Sequence, residues 1–302
     1  MKRITLILLA AVVSCGDGAS TSSHKADKTK GVSPMVDMAS IKKEFKVDIS
    51  QVSYSFGQSI RQKVKQQGIT DLIEPEFISS FAKAKSNLDV NLDEVNSKLN
   101  EIRQSQGRYP DARRALSKYM GMYYGATEGR SDLLNNLMVV VFAKGFTDND
   151  KGINTLGVNC DSLYTSEKNK YNEFLGKRYL EENKKRKEIK TTASGLQYEV
   201  LEKGEGDLPN ENSDVTVHYK GTLVSGDVFD SSLERGQPIS FNLQGVIPGW
   251  TEGLQLMPKG AKYRFHIPYE LGYGGRAAGK IPSYSTLVFE VQLIEFSRQR
   301  KE

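Results

Sequence analysis

The sequence predicts an α+β chain, helical first and β-rich last, and three observations carry that prediction. From Met35 to Glu188, apolar residues recur at three- and four-residue steps, and only Pro75 and Pro110 interrupt them. Near Leu196 the period changes to two. Val215, Val217, Tyr219 and Gly221 alternate with Thr216, His218 and Lys220, and Leu287, Phe289, Val291 and Leu293 share one face of a run from Thr286 to Phe296. Gly-rich turns at Ser225-Gly226-Asp227, Arg235-Gly236 and Pro258-Lys259-Gly260 separate the β segments, and one short helix fits between them, from about Gly249 to Met257. The C-terminal domain expected is an antiparallel β-sheet wrapped on that short helix.

The 302 residues suffice for about two domains at ~100–200 residues each. With 38% hydrophobic and 26% charged residues the chain can build a packed core without a membrane bundle. Its net charge is +5, and +3 once Lys2 and Arg3 leave with the leader, which argues against a nucleic-acid partner. The basic run Lys184-Lys185-Arg186-Lys187 is flanked by Glu181, Glu182 and Glu188 and reads as a solvated helix face. Cys15 and Cys160 make no disulfide framework. No closely spaced histidine, cysteine and carboxylate set predicts a metal site, and no cofactor is expected. His218 and His266 sit within alternating runs and read as structural strand residues.

Residues 1–14 read as a signal peptide. Met1-Lys2-Arg3 is a short positive region, and Ile4 to Val13 is an apolar run of ten residues, too short for a stable span. Val12-Val13-Ser14-Cys15 resembles a bacterial lipobox. The resemblance implies cleavage before Cys15, acylation of that residue, and an anchor in the bacterial envelope, at the outer membrane facing the periplasm. Several acyl chains at ~0.8 kcal/mol per buried CH₂ hold a protein firmly. Residues 15–34, rich in Ser, Thr, Lys and Gly, have little to bury and read as a flexible tether.

Residues 35–165 read as a helical domain. Val52, Phe56, Ile60 and Val64 form one stripe and Val95, Leu99 and Ile102 another; Gly68, Pro75, Gly107–Pro110 and Asp148–Gly152 punctuate them. A faint repeat runs through the region. Tyr54-Ser55-Phe56-Gly57 precedes Phe81-Ala82-Lys83-Ala84, and Met122-Tyr123-Tyr124-Gly125 precedes Phe142-Ala143-Lys144-Gly145. A degenerate duplication and coincidence both account for it at this level. Residues 166–193 read as a connecting helix and linker, with Ser166 as N-cap and a stripe of Tyr171, Phe174, Leu175 and Tyr179 or Leu180.

Residues 194–302 resemble the FKBP-type peptidyl-prolyl cis–trans isomerases. The motifs, in consistent order, are Val217-His218-Tyr219-Lys220-Gly221-Thr222-Leu223, Val228-Phe229-Asp230-Ser231-Ser232, Val246-Ile247-Pro248-Gly249-Trp250-Thr251-Glu252-Gly253-Leu254, Leu271-Gly272-Tyr273-Gly274, Ile281-Pro282, and Thr286 to Val291. The resemblance implies an FKBP-like fold and a cavity for a proline ring lined by Tyr219, Phe229, Phe241, Val246, Ile247, Trp250 and Phe289. It implies that the Ile247 N–H holds a substrate carbonyl and that Tyr273 donates from its phenol. It also implies that Asp230 tunes the field at the reacting carbonyl and that Ile281 contacts the flanking residue. Ile239, Lys280 and Ser283-Tyr284 depart from the common pattern at the rim, which bears on substrate preference.

The helical region resembles the dimerisation-type N-terminal domain of the macrophage infectivity potentiator-like envelope subfamily, carried here by Tyr54–Gly57, Phe81–Ala84 and Ser166–Glu188, but it is longer. That likeness implies a homodimer, chaperone activity, clients that are unfolded or proline-containing exported polypeptides, and rapamycin-type macrolides as inhibitors. The rival readings are a proline-motif binding module and a structural lipoprotein with little turnover.

Overall fold

The structure, a computed structural model, describes residues 36–87, 89–105, 109, 111–129, 132–134 and 137–297. Helix starts follow from side-chain chemistry. Asp37, Asp48, Asn91 and Asn159 each accept from free N–H groups of the next turn, and there begin α1 (Met38–Glu44), α2 (Ile49–Gln66), α4 (Leu92–Gln104) and α7 (Cys160–Asn183). Pro75 opens α3 (Glu74–Ser86), where its missing N–H costs nothing. α5 spans Ala112–Thr127 and α6 spans Val139–Asp150. Neither α3 nor α6 has a cap of its own. Instead the N–H of Ile73, just before α3, donates to Ser117 Oγ on α5 at 2.7 Å, and the N–H of Met138, just before α6, donates to Ser53 Oγ on α2 at 3.1 Å.

Two expectations need correcting here. The connecting helix begins at Cys160, not at Ser166: Asn159 caps it by accepting from the Ser162 N–H at 2.9 Å, and the turns ahead of Ser166 bury Cys160 and Tyr164. It ends at Asn183, so Lys184–Lys187 lie in turns beyond it rather than on a helix face. Arg186 is 12% exposed and bridges Glu188 at 2.7 Å and Glu199 at 3.3 Å.

The largest helix–helix contacts are α2 on α6 and α3 on α5. Their core is aromatic: Phe81 stacks on Phe142 at 4.4 Å, Phe77 on Phe146 at 4.6 Å, and Phe56 meets Tyr164 of α7 at 4.8 Å. Arg61 is buried beside them. Its charge is met by Asp150 at 2.7 Å and by the carbonyls of Ile69 and Thr70, which satisfies the requirement that a buried ion be paired and bonded.

The C-terminal region forms an antiparallel sheet of seven strands among the described residues: β1 (Lys190–Thr191), β2 (Gln197–Glu202), β3 (Asp214–Leu223), β4 (Val228–Ser231), β5 (Ile239–Asn242), β6 (Lys262–Ile267) and β7 (Leu287–Ser297). The order is β1-β2-β6-β7-β3-β4, with β5 also on β3. β4 covers one end of β3 and β5 the other, so residues 232–238 bulge out between them. α8 (Pro248–Leu254) lies across β6, where a Cβ on Gly249 or Gly253 would overlap Ile267 or Phe265. Val215, Val217, Phe265, Leu287, Val291 and Leu293 form the core beneath it. No helix among the described residues is long and apolar enough to cross a membrane.

α7 is locked to this sheet. Gly176 abuts Thr286, Asn172 Nδ2 donates to Ser283 O at 3.0 Å, Asn183 Nδ2 to Gln197 Oε1 at 2.9 Å, and Tyr179 Oη meets His266 Nδ1 at 2.7 Å. Burial, then the charges of Arg264 and Arg186, push the His266 imidazole down to about 3. The unfolded chain therefore takes up this proton first. The stability His266 contributes is complete above its unfolded value near ~6.5 and is lost as pH falls from there towards 3. At about 1.4 kcal/mol per pH unit for one proton, the drop from pH 7 to 5 costs about 2 kcal/mol. Urea unfolding at both pH values should show that loss in the parent and a shallower one in His266→Gln.

Candidate active site

The period of β3 puts Tyr219 on the inner face of the sheet, and Pro248 at the head of α8 places Trp250 in the first helical turn. Phe289 lies opposite Gly221 on β7, and Phe241 pairs with Val215 from β5. These elements converge on the indole. Tyr219, Phe241 and Phe289 stand edge-on to Trp250, with centroids at 5.2, 5.5 and 5.2 Å and interplanar angles of 85°, 88° and 79°. Phe229 continues the wall at 5.3 Å from Phe289. Gly221 makes room for both rings, since a Cβ there would fall 2.5 Å from Phe229 and 2.8 Å from Phe289. Val246, Ile247 and the buried Ile281 pack in the same cluster. The indole Nε1 is buried without a hydrogen-bond partner among the described residues.

The rim is polar. Gly221 pairs with Asp230 across β3 and β4, which brings that carboxylate beside the cup. Tyr219 donates its hydroxyl proton to Asp230 Oδ2, Arg235 Nη1 donates to Oδ1, and Arg235 Nη2 donates to Tyr219 Oη at 2.9 Å. Burial works against the charge on Asp230, but the bonds from Tyr219 and Arg235 outweigh it and hold the carboxyl below its ordinary value. Burial, then the bond to Asp230, pushes the Tyr219 phenol up to about 12. Burial and the Asp230 charge likewise raise Tyr273, which therefore keeps its proton for donation although the residue is 41% exposed. The N–H of Ile247, just before α8, makes no backbone bond among the described residues and stands ready for an acceptor.

Sequence reasoning missed Arg235. The only signal was its position in the turn after Asp-Ser-Ser, and that turn (Gly236 N–H to Leu233 O, 3.1 Å) folds the guanidinium back over the Tyr219 ring at 5.6 Å. Arg235 and Asp230 are each more than 40% exposed, so their pairing is worth at most about 1 kcal/mol. Arg235→Ala should raise the pH at which the Asp230 carboxyl takes up its proton, because the carboxylate loses the cation that holds it ionised. Carboxyl-carbon NMR shifts of Asp230 followed through the acid range read the change, and an unmoved titration would show that Arg235 does not hold it.

Among the described residues no cluster of metal-ligating side chains occurs. The arrangement can enclose a small apolar ring and present one carboxylate, two phenols and a backbone N–H to the group attached to it.

Residues 206–294 match the family model described as FKBP-type peptidyl-prolyl cis-trans isomerase, and residues 113–200 match the domain amino terminal to it. The FKBP-type 22 kDa peptidyl-prolyl cis-trans isomerase of Escherichia coli K12 is 54% identical over 121 residues, 40% of this chain and 59% of that one. The chain belongs to the FKBP family. FkpA of the same strain is 51% identical over 124 residues, 41% of this chain and 46% of the relative. The chain thus spans about half the length of the curated relatives it matches. Among solved structures, FkpA from Escherichia coli is 29% identical, covering 83% of this chain and 98% of that one with a TM-score of 0.45. A peptidyl-prolyl isomerase from Pseudomonas syringae pv. tomato is 40% identical, covering 41% and 91% with a TM-score of 0.39.

Proposed function

We propose that the chain catalyses cis–trans isomerisation of X–Pro bonds in exported polypeptides. The observation that carries this reading is the Trp250 floor walled by Tyr219, Phe241 and Phe289, with the Asp230–Tyr219–Arg235 triad on its rim. Rotation about an amide C–N bond costs ~18–20 kcal/mol because resonance is lost at the twisted geometry. The X–Pro end states are close in energy, yet exchange takes tens to hundreds of seconds. The reaction needs no nucleophile and no net proton transfer. The planar amide is more polar than the twisted one, so a dry aromatic cup disfavours the ground state, and each ~1.4 kcal/mol of preference for the twisted form gains tenfold in rate. In this reading the proline ring lies over Trp250, and Ile247 N–H and Tyr273 hold carbonyl oxygens. Asp230 faces the carbonyl carbon, which becomes more positive as resonance is lost. Ile281 meets the neighbouring residue.

The leader pattern supports a place in the bacterial envelope with a lipid anchor at Cys15, which lies outside the described residues. A chaperone role for the helices has its support in Met138 and Val140, exposed at 45% and 83% at the head of α6. The test is the isomerisation rate of a chromogenic X–Pro peptide and of a slow-refolding protein. Acceleration that rapamycin abolishes supports the isomerase. Absence of acceleration on both, with rapamycin still bound, favours the binding-module reading.

A further inference from the structure

The faint repeat in the sequence coincides with a reciprocal geometry. Val52, Phe56 and Gly57 on α2 have the spacing of Met120, Tyr124 and Gly125 on α5, while Phe81 on α3 corresponds to Phe142 on α6. The contacts are exchanged between the two sets. A Cβ on Gly57 would sit 2.1 Å from the Phe142 carbonyl oxygen, and one on Gly125 would sit 2.3 Å from the Phe81 carbonyl oxygen. At each crossing a serine of the first helix also takes the N–H that precedes the other set's second helix: Ser53 for α6 and, one turn earlier in the register, Ser117 for α3. The first helix of each set therefore grips the second helix of the other.

The third helices follow the same rule. α4 packs on α5, and α7 packs on α2. One contact maps onto itself. Phe81 and Phe142, equivalent residues, stack face to face at 4.4 Å and 15°. A self-paired contact is what a twofold axis leaves where it passes. The family model for the amino-terminal domain spans residues 113–200, which is α5 to α7 and the start of the sheet, so α2 to α4 stand outside it as an additional unit.

We propose that residues 49–183 are two copies of a three-helix unit fused in one chain, clasped about a pseudo-twofold axis, and that the chain therefore works as a single copy. The faces with which one unit grips another are filled from within. The homodimer implied by the family likeness would need a face this chain has already covered. The two arms are unequal: α4 has 13 residues and α7 has 24, and only α7 runs on to carry a β-domain. The result is one isomerase-type domain on a platform with two equivalent halves. This inference does not depend on catalytic activity.

The test uses residues 36–302, which form one compact unit. Light scattering across a roughly hundredfold dilution should return the mass of one chain throughout, and the urea midpoint should not change with protein concentration. A two-chain mass, or a midpoint that rises with concentration, overturns the proposal. The equivalence of the units is tested separately. Gly57→Ala and Gly125→Ala should lower the urea midpoint by similar amounts, and a Gly125→Ala that leaves it unchanged overturns the equivalence.

Discussion

Gly57→Ala should destabilise the helical region by about 3 kcal/mol or more, although the same change on an exposed helix stabilises by about 1 kcal/mol. The sign turns on what the new methyl meets. It would lie 2.1 Å from the Phe142 carbonyl oxygen and 2.8 Å from the Phe146 nitrogen, both backbone atoms inside α6. A side chain could rotate away, but a helix backbone cannot, so α2 and α6 must separate. Separation loosens the Phe56, Phe81 and Phe142 cluster that joins both helices to α3. Gly145, whose Cβ would meet the Tyr54 carbonyl oxygen at 2.1 Å, gives a second variant on the other side of the same crossing. Urea unfolding followed by far-ultraviolet circular dichroism reads the effect. A stabilised Gly57→Ala would show that α2 and α6 do not meet at this distance.

Much of this was legible in the chain itself. The change of period near Leu196 separates helices from strands; the observed β3 contains the alternating run read from Val215, and β7 begins one residue after the Thr286 at which the second run was read to start. The pocket aromatics were legible as an ordered set because each sits in a motif fixed by local chemistry: Trp250 behind Pro248, Phe229 before Asp230, Tyr219 in a strict alternation. What the sequence hid were contacts between distant segments. Nothing near Gly57 announces a carbonyl of Phe142, and nothing near Arg235 announces that a turn returns it to Asp230. The start of α7 was misplaced for a simpler reason. Asn159 and Ser166 are both good caps, and the choice was made by the buried positions Cys160 and Tyr164, which only packing reveals.

The tie between α7 and the sheet bears on the pocket. Asn172 holds the carbonyl of Ser283, and Gly176 lets the helix touch Thr286, so the loop from Ile281 to Thr286 is braced from behind by a helix of the platform. Tyr284 in that loop has a φ of 60°, an unfavourable backbone for a residue with a side chain, and its N–H is held by the Gly274 carbonyl at 2.9 Å. The departures from the family pattern at Ser283-Tyr284 thus fall where the platform and the pocket rim share a loop. The loop is thus held from two sides, by Asn172 of α7 at Ser283 and by Gly274 at Tyr284.

Asp230→Val should lower kcat/KM on an X–Pro peptide by roughly 10- to 100-fold with little change in melting temperature. The range follows from about 1.5–3 kcal/mol for hydrogen bonds to a charged group. The valine keeps the strand shape but removes the acceptor shared by Tyr219 and Arg235. Two effects then combine. The Tyr219 wall loses its anchor, and the guanidinium is left uncompensated beside a carbonyl carbon that becomes more positive in the twisted amide. Asp230→Asn separates them. It retains an acceptor for Tyr219 but no charge, so if the field of the carboxylate dominates, its loss should approach that of the valine variant. If anchoring of Tyr219 dominates, Asp230→Asn should remain near the parent and Tyr219→Phe should fall instead. Either ranking assigns the triad a role in turnover. Full activity in Asp230→Val would remove the carboxylate from the reaction altogether and leave the cup of Tyr219, Phe241, Trp250 and Phe289 to act by desolvation and fit alone.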